Sequence, residues 1–145
     1  MNSITTHSFE ETQQLGFNFA KELQGGEVLA LYGDLGSGKT TFMQGLAKGL
    51  GITRNIISPT FIIMRSYRVE KDDHTKSIKN LYHLDLYRIE NEAQAEDLGI
   101  HELMGNGENI VAIEWPDKIE NILPEKRISI YFTYLEDDKR DIRFA

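Results

Sequence analysis

The run Gly33-Asp34-Leu35-Gly36-Ser37-Gly38-Lys39-Thr40 carries the most specific chemistry in the chain. It meets in full the G-x-x-x-x-G-K-[ST] pattern with which a loop wraps phosphate groups. The glycines let backbone N–H groups turn inward with no Cβ in the way. A helix opening directly after the loop adds its dipole and its unpaired N–H groups. In such a loop Lys39 reaches the β- and γ-phosphates, and the Thr40 hydroxyl suits Mg²⁺. Thr41 falls near the α-phosphate. The expected ligand is a nucleoside triphosphate, ATP with Mg²⁺.

A metal held there needs a carboxylate to hold it or to order its waters. Glu114 is the best placed acid, because it ends the wholly apolar run Ile110-Val111-Ala112-Ile113, where the acid that serves the metal belongs in a phosphoryl-transfer site. It is Glu rather than the commoner Asp, which leaves direct and water-mediated ligation both open. A further set lies in Leu81-Tyr82-His83-Leu84-Asp85-Leu86-Tyr87-Arg88. Read as a strand, it puts His83, Asp85 and Tyr87 on one face and Tyr82, Leu84 and Leu86 on the other. The polar face fits a site, and a hydrogen-bonded His–Asp pair supporting a loop fits equally well. Ser58-Pro59-Thr60 is either a turn with a cap or a loop whose hydroxyl senses the γ-phosphate.

These residues need elements to hold them. Ser8-Phe9-Glu10-Glu11 reads as a capping box. The helix it opens puts Leu15, Phe19, Ala20 and Leu23 on one face and stops at Gly25-Gly26. Residues 27–32 form a short apolar run without alternation, the signature of a buried central strand. After the phosphate loop, Phe42, Leu46, Ala47 and Leu50 recur at helical spacing, with Gly49 and Gly51 as the stop. Pro59 opens a β-rich run to Val69, and polar 71–80 reads as the loop of an antiparallel hairpin returning through 81–87. Residues 91–98 suit a short helix. Two more strands are expected at 127–135 and 141–144, with Asp137-Asp138-Lys139 as the turn between them. The sum is an α/β fold, a mixed sheet flanked by helices, in a single domain over 1–145.

Bulk properties narrow the classes. The 145 residues are 40% hydrophobic and 27% charged, ordinary for a globular domain. The net charge of −7 argues against broad binding to nucleic-acid backbone, which needs clustered Lys and Arg. The acidic runs at 90–97 and 136–138 read as solvated faces. No stretch approaches the roughly 20 apolar residues of a membrane helix. The first residues lack the basic-then-apolar pattern of a secretory signal. A cytoplasmic protein is expected. The absence of cysteine removes disulfides, thiolate metal sites and a thiol nucleophile.

Taken together, Gly-Asp-Leu-Gly-Ser-Gly-Lys-Thr-Thr (33–41), Ser-Pro-Thr (58–60), His-Leu-Asp-Leu-Tyr-Arg (83–88) and Ile-Glu-Trp-Pro (113–116) resemble, in order and spacing, the bacterial TsaE (YjeE) family. The resemblance implies a P-loop NTPase-like fold and a small Mg²⁺-dependent ATPase, weak alone. It implies a role in forming threonylcarbamoyladenosine at position 37 of tRNAs that read codons beginning with A. It also implies work with the TsaB and TsaD proteins, whose complex the ATP cycle resets, so that tRNA is met only through that complex.

Carried onto this chain, the resemblance makes Asp85, Thr60 and Lys39 the catalytic set. Asp85 is the HxDxYR acid that orders the attacking water or the metal shell, and Thr60 belongs to a switch-like loop. The nucleotide is held by Gly33, Asp34, Leu35, Gly36, Ser37, Gly38, Lys39, Thr40 and Thr41. Trp115 lies beside it, and Ser8 and Thr12 lie near the adenine. Thr40 and Glu114 serve the metal.

Other classes fit less well. A small-molecule kinase usually adds an arginine-bearing lid, and the only lid-sized insert, 71–79, has no Arg. A GTPase commonly selects guanine with Asn-Lys-x-Asp, which is absent. A nucleotide-sensing binding module without hydrolysis is not discriminated by sequence. Arg65 and Arg88 are the candidates for a cis arginine finger.

Overall fold

The computed structural model describes residues 2–57, 63–70 and 77–145. Ser58, Pro59 and Thr60, and most of the expected hairpin loop, lie outside them. Among the described residues a seven-stranded mixed sheet runs in the order β1-β7-β6-β2-β5-β4-β3. Its strands are β1 (Asn2–Thr6), β2 (Val28–Tyr32), β3 (Met64–Arg68), β4 (Asn80–Asp85), β5 (Asn109–Glu114), β6 (Ile128–Tyr134) and β7 (Arg140–Phe144). The centre is parallel: β2 lies between β5 and β6, and β5 pairs with β4. The flanks are antiparallel, with β3 on β4 and β7 between β6 and β1.

The buried centre explains the sequence pattern. Every residue of β5 is buried, as are Val28 to Leu31 of β2, so neither strand has a polar face to show. The β3–β4 pairing is the antiparallel hairpin that the sequence predicts, and β6 and β7 match the two tail strands. Asp137 and Asp138 between them both take positive φ, 51° and 64°, as a tight hairpin turn demands.

Helices α1 (Phe9–Ala20) and α2 (Lys39–Leu50) cover one face of the sheet. Ser8 caps α1, its Oγ accepting from the Glu11 N–H at 3.1 Å, while Glu11 accepts from the His7 N–H at 3.0 Å. The helix ends at Ala20, ahead of Gly25-Gly26. Leu23 is buried from the turn beyond it. Gly51, with φ of 88°, ends α2. Gly49 is not a stop: it lies inside the helix, where a Cβ would come within 2.6 Å of the Ala20 Cβ. Gly45 is tighter still, since a Cβ there would overlap the Gln13 carbonyl. The two helices touch backbone to backbone along this seam.

The other face is covered over β4 and β5 by α3 (Glu92–Glu96), α4 (Ile100–Met104) and a kinked 3₁₀ stretch, Pro116–Ile122. Asn91 caps α3, and the expected helix at 91–98 is thus shorter and followed by a second one. The 3₁₀ stretch is tethered to β2 because the Tyr32 hydroxyl donates to Glu120 at 2.7 Å, and Arg127 holds the other Glu120 oxygen at 3.0 Å. Partial burial, then the Glu120 carboxylate, push the Tyr32 hydroxyl up to about 12, so it remains a donor at any physiological pH.

The seam sets the spacing of the phosphate loop from α1, and it can be tested. Gly45→Ala gains about 1 kcal/mol of helix propensity but forces a methyl into the Gln13 carbonyl. Overpacking of that kind costs about 2 kcal/mol or more, so urea denaturation is expected to show net destabilisation. An unchanged or raised midpoint would mean that the helices part without cost.

Candidate functional site

Parallel strands place their loops at the carboxyl edge of the sheet, where α/β proteins bind ligands. Here β2 runs straight into the phosphate loop, while β4 and β5 end side by side with Asp85 opposite Glu114 in register. Leu81, His83 and Asp85 of β4, and Ile110, Ala112 and Glu114 of β5, alternate onto the face that α2 covers. The strand ends and the loop therefore converge on one cleft of about 260 Å³. Gly38, Lys39, Thr40, Asp85, Glu114 and Arg140 are among the residues lining it.

The loop is built for close approach. Gly33 and Gly38 hold φ of 150° and 108°, a region that favours glycine. A Cβ at Gly33 would sit 2.6 Å from the Ser37 Oγ and 2.7 Å from the Phe132 carbonyl. Leu35 stands out into solvent, and the Asp34 carbonyl accepts from the Ser37 N–H at 3.1 Å. The Ser37 Oγ is buried with no hydrogen-bond partner among the described residues. Thr40 and Thr41 open α2 at the cleft wall.

Lys39 and Glu114 form the charged centre. Both are buried, and the Lys39 Nζ lies 3.6 Å from the Glu114 Oε1. The ammonium also donates to the Gly33 carbonyl and faces the Trp115 ring at 5.0 Å from its centroid. The Glu114 Oε2 accepts from the His83 Nε2 at 2.7 Å. Burial pushes the Glu114 carboxyl up, but the hydrogen bond and charge of His83 and the charge of Lys39 outweigh it. They hold the group below the ordinary value of 4.5.

Several expectations are sharpened or corrected. His83 does not pair with Asp85. It reaches diagonally across to Glu114, because β5 lies beside β4 and Asp85 points on toward the cleft. Tyr87 does not share the polar face. The strand stops at Asp85, whose Oδ1 accepts from the Tyr87 N–H at 3.0 Å and turns the chain. The exposed Tyr87 ring instead lies 5.1 Å from Trp115. Trp115 itself takes a left-handed φ of 58°, which swings its ring back over Lys39. The cleft lining includes neither Ser8 nor Thr12. Ser8 caps α1, and the buried Thr12 hydroxyl is bonded to Thr6 at 2.7 Å.

Arg65 sits on β3 beside His83 in register, and Arg88 is exposed in the turn after β4. Among the described residues, the arginine that lines the cleft is Arg140, the first residue of β7, which the sequence reading missed. Its stem lies against Gly38, its guanidinium 4.4 Å from the Tyr134 ring, and its Nε is buried without a partner among the described residues. Nothing local marks an arginine after a hairpin turn, and only the β6–β7 pairing beside β2 brings it to the loop.

The donor set fits Mg²⁺. A hydroxyl and a carboxylate are hard oxygen ligands. No group of three His, Cys, Asp or Glu side chains gathers among the described residues. Thr40 and Glu114 could hold such an ion together with waters, the usual manner of Mg²⁺.

Fold and cleft define an α/β protein of the P-loop class. A family model described as "Threonylcarbamoyl adenosine biosynthesis protein TsaE" matches residues 6–142. Among curated relatives, the tRNA threonylcarbamoyladenosine biosynthesis protein TsaE of Bacillus subtilis (strain 168) is 43% identical over 94% of this chain and 80% of its own length. That of Treponema pallidum (strain Nichols) is 35% identical over 97% of both. A crystal structure of YdiB from Bacillus subtilis superposes with a TM-score of 0.76 at 36% identity, covering 99% of this chain and 83% of that one. The chain belongs to the TsaE family. No helix among the described residues is long and apolar enough to cross a membrane.

The depressed Glu114 carboxyl gives a signed pH dependence. A group whose folded-state value lies below its unfolded value stabilises the fold above the unfolded value, and loses that contribution as pH falls through the folded one. The stability gap between the wild-type chain and Glu114→Gln is therefore expected to hold from neutral pH down to about 4.5 and to shrink below it. Urea titrations at stepped pH check this, and a gap that does not change on acidification contradicts the assignment.

Proposed function

We propose that the chain is a Mg²⁺-dependent ATPase, weak alone and stimulated by partners, that supports formation of threonylcarbamoyladenosine at position 37 of tRNAs reading codons that begin with A. Its partners are the TsaB and TsaD proteins. ATP binding and hydrolysis reset their complex, and tRNA is reached only through it. The observation that carries the reading is the convergence of the phosphate loop, Lys39, Glu114 and Asp85 on one cleft at the carboxyl edge of the sheet. The names of the relatives supply the pathway.

The chain's residues divide the work. Backbone N–H groups of the loop and the α2 N-terminus receive the phosphates. Lys39 exchanges its bond to the Gly33 carbonyl for the β- and γ-phosphates. Thr40 and Glu114 hold the metal, which neutralises phosphate charge when bound. Arg140 supplies a second cation in cis, beside Gly38. Asp85 orients the attacking water, and hydrolysis yields ADP and phosphate. Thr60 supplies a further hydroxyl to the nucleotide, and adenine contact falls to the start of α1 near Ser8, whose hydroxyl caps the helix, and Thr12, whose hydroxyl is bonded to Thr6. Phosphoryl transfer leans on positioning and charge more than on covalent help, which suits a cleft whose buried acid is already bonded to His83.

Lys39→Ala is expected to abolish ATP binding in calorimetry, and near-normal affinity would sink the phosphate-loop assignment. Arg140→Ala should weaken ATP binding about 10- to 100-fold, the scale of one charge-assisted hydrogen bond. Unaltered affinity would leave Arg140 a structural residue. Asp85→Ala should still bind ATP but lose the hydrolysis stimulated by the cognate TsaB–TsaD pair. A strain lacking the protein should lose threonylcarbamoyladenosine from bulk tRNA by mass spectrometry, and full modification there rejects the pathway.

A further inference from the structure

We infer that His83 is a positioning residue: it fixes the Glu114 carboxylate so that one oxygen is taken by the imidazole and the other is turned to Lys39 and the metal. The inference rests on the Mg²⁺–nucleotide reading of the cleft.

His83 is wholly buried. It follows Leu81 on the α2-facing side of β4, and its register partners are Arg65 on β3 and Ala112 on β5. Core packing at such a place asks for an aliphatic side chain, as at Leu81. An imidazole there must part with water at both nitrogens, and only one finds a partner. Nε2 lies 2.7 Å from the Glu114 Oε2, while Nδ1 has none among the described residues. Burying an unsatisfied nitrogen is unfavourable, so the position is explained by the bond that is made.

An ionised carboxylate can only accept. The Nε2 therefore carries the hydrogen, and the imidazole acts as a donor from a strand paired on both sides. Glu has a long side chain whose terminal torsion is broad. With Oε2 held, that torsion is set, and Oε1 is presented 3.6 Å from the Lys39 Nζ. His83 is not among the residues lining the cleft, and its effect passes through Glu114. Outer groups that orient a metal-ligating side chain commonly cost 10- to 100-fold in metal affinity or activity when removed.

The readout is the gain in ADP affinity that Mg²⁺ confers, measured by calorimetry with MgCl₂ and with EDTA. In His83→Leu that gain should fall about tenfold, while affinity in EDTA stays within about twofold of wild type. His83→Gln, which can offer an amide N–H to the same oxygen, should keep the gain within about threefold. A His83→Leu gain equal to wild type overturns the inference. So does an equal loss in Leu and Gln, which would mark a packing effect. Should His83→Leu fail to fold, His83→Asn, polar but too short to reach Glu114, carries the same expectation. A wild-type chain that binds no ADP in either condition would take away the nucleotide reading, and one that binds ADP with no Mg²⁺-dependent gain would take away the Mg²⁺ reading, and this inference with either. A wild-type gain that His83→Leu retains defeats the inference alone.

Discussion

A buried cation faces a buried anion at the carboxyl edge of this sheet, and neither could stand there alone. Lys39 and Glu114 are 4% and 5% exposed, so each has lost nearly all its water. That loss is tolerable only where the partner charge and further hydrogen bonds make it up. The structure provides them: the Gly33 carbonyl for the ammonium, the His83 imidazole for the carboxylate. This requirement organises the neighbourhood. The phosphate loop must turn so that its first carbonyl points inward. The strand bearing Glu114 must lie next to the strand that feeds the loop, and the strand bearing His83 must lie on its far side. The order β2-β5-β4 satisfies the last two, and the Gly33 carbonyl bonded to Lys39 satisfies the first.

Much of this was legible in the sequence, wherever the signal is local. The phosphate loop is read from glycines whose spacing matters within a few residues. Glu114 is read from the uninterrupted apolar run before it, because a parallel strand buried on both faces has no reason to alternate. The β6–β7 hairpin is read from Asp137-Asp138, residues that tolerate the turn. What was not legible depends on which strands become neighbours. The partner of His83 is 31 residues away, and alternation along β4 alone points to Asp85. Arg140 sits in a strand that reaches the loop only through β6. The strand β1 has no pattern to read, since Asn2 to Thr5 are exposed and the segment is a strand only because β7 pairs with it.

The backbone contact between α1 and α2 is the other constraint that the sequence hides. Gly16, Gly45 and Gly49 look like helix-weakening residues, and Gly49 like a terminator. In the structure they are the price of bringing two helices together without side chains between them. Propensity loses to packing there. Through these contacts α2, which begins at Lys39 beside the phosphate loop, is seated on α1, and α1 is held to β1 by the Thr6–Thr12 bond.

The pairing of β1 with β7 has a consequence for the order of events during synthesis. Ser3 is bonded to Asp141, 138 positions apart, and Thr6 lies opposite Arg140 in register. A nascent chain that has made the phosphate loop, Asp85 and Glu114 still lacks the strand that shields one flank of the loop and delivers its guanidinium. Strand β1 must wait, unpaired, until β7 has emerged. Closing so long a loop is slow, and a waiting edge strand is exposed to wrong partners. The polar sequence Asn-Ser-Ile-Thr-Thr, uninformative as a folding signal, is well suited to that wait.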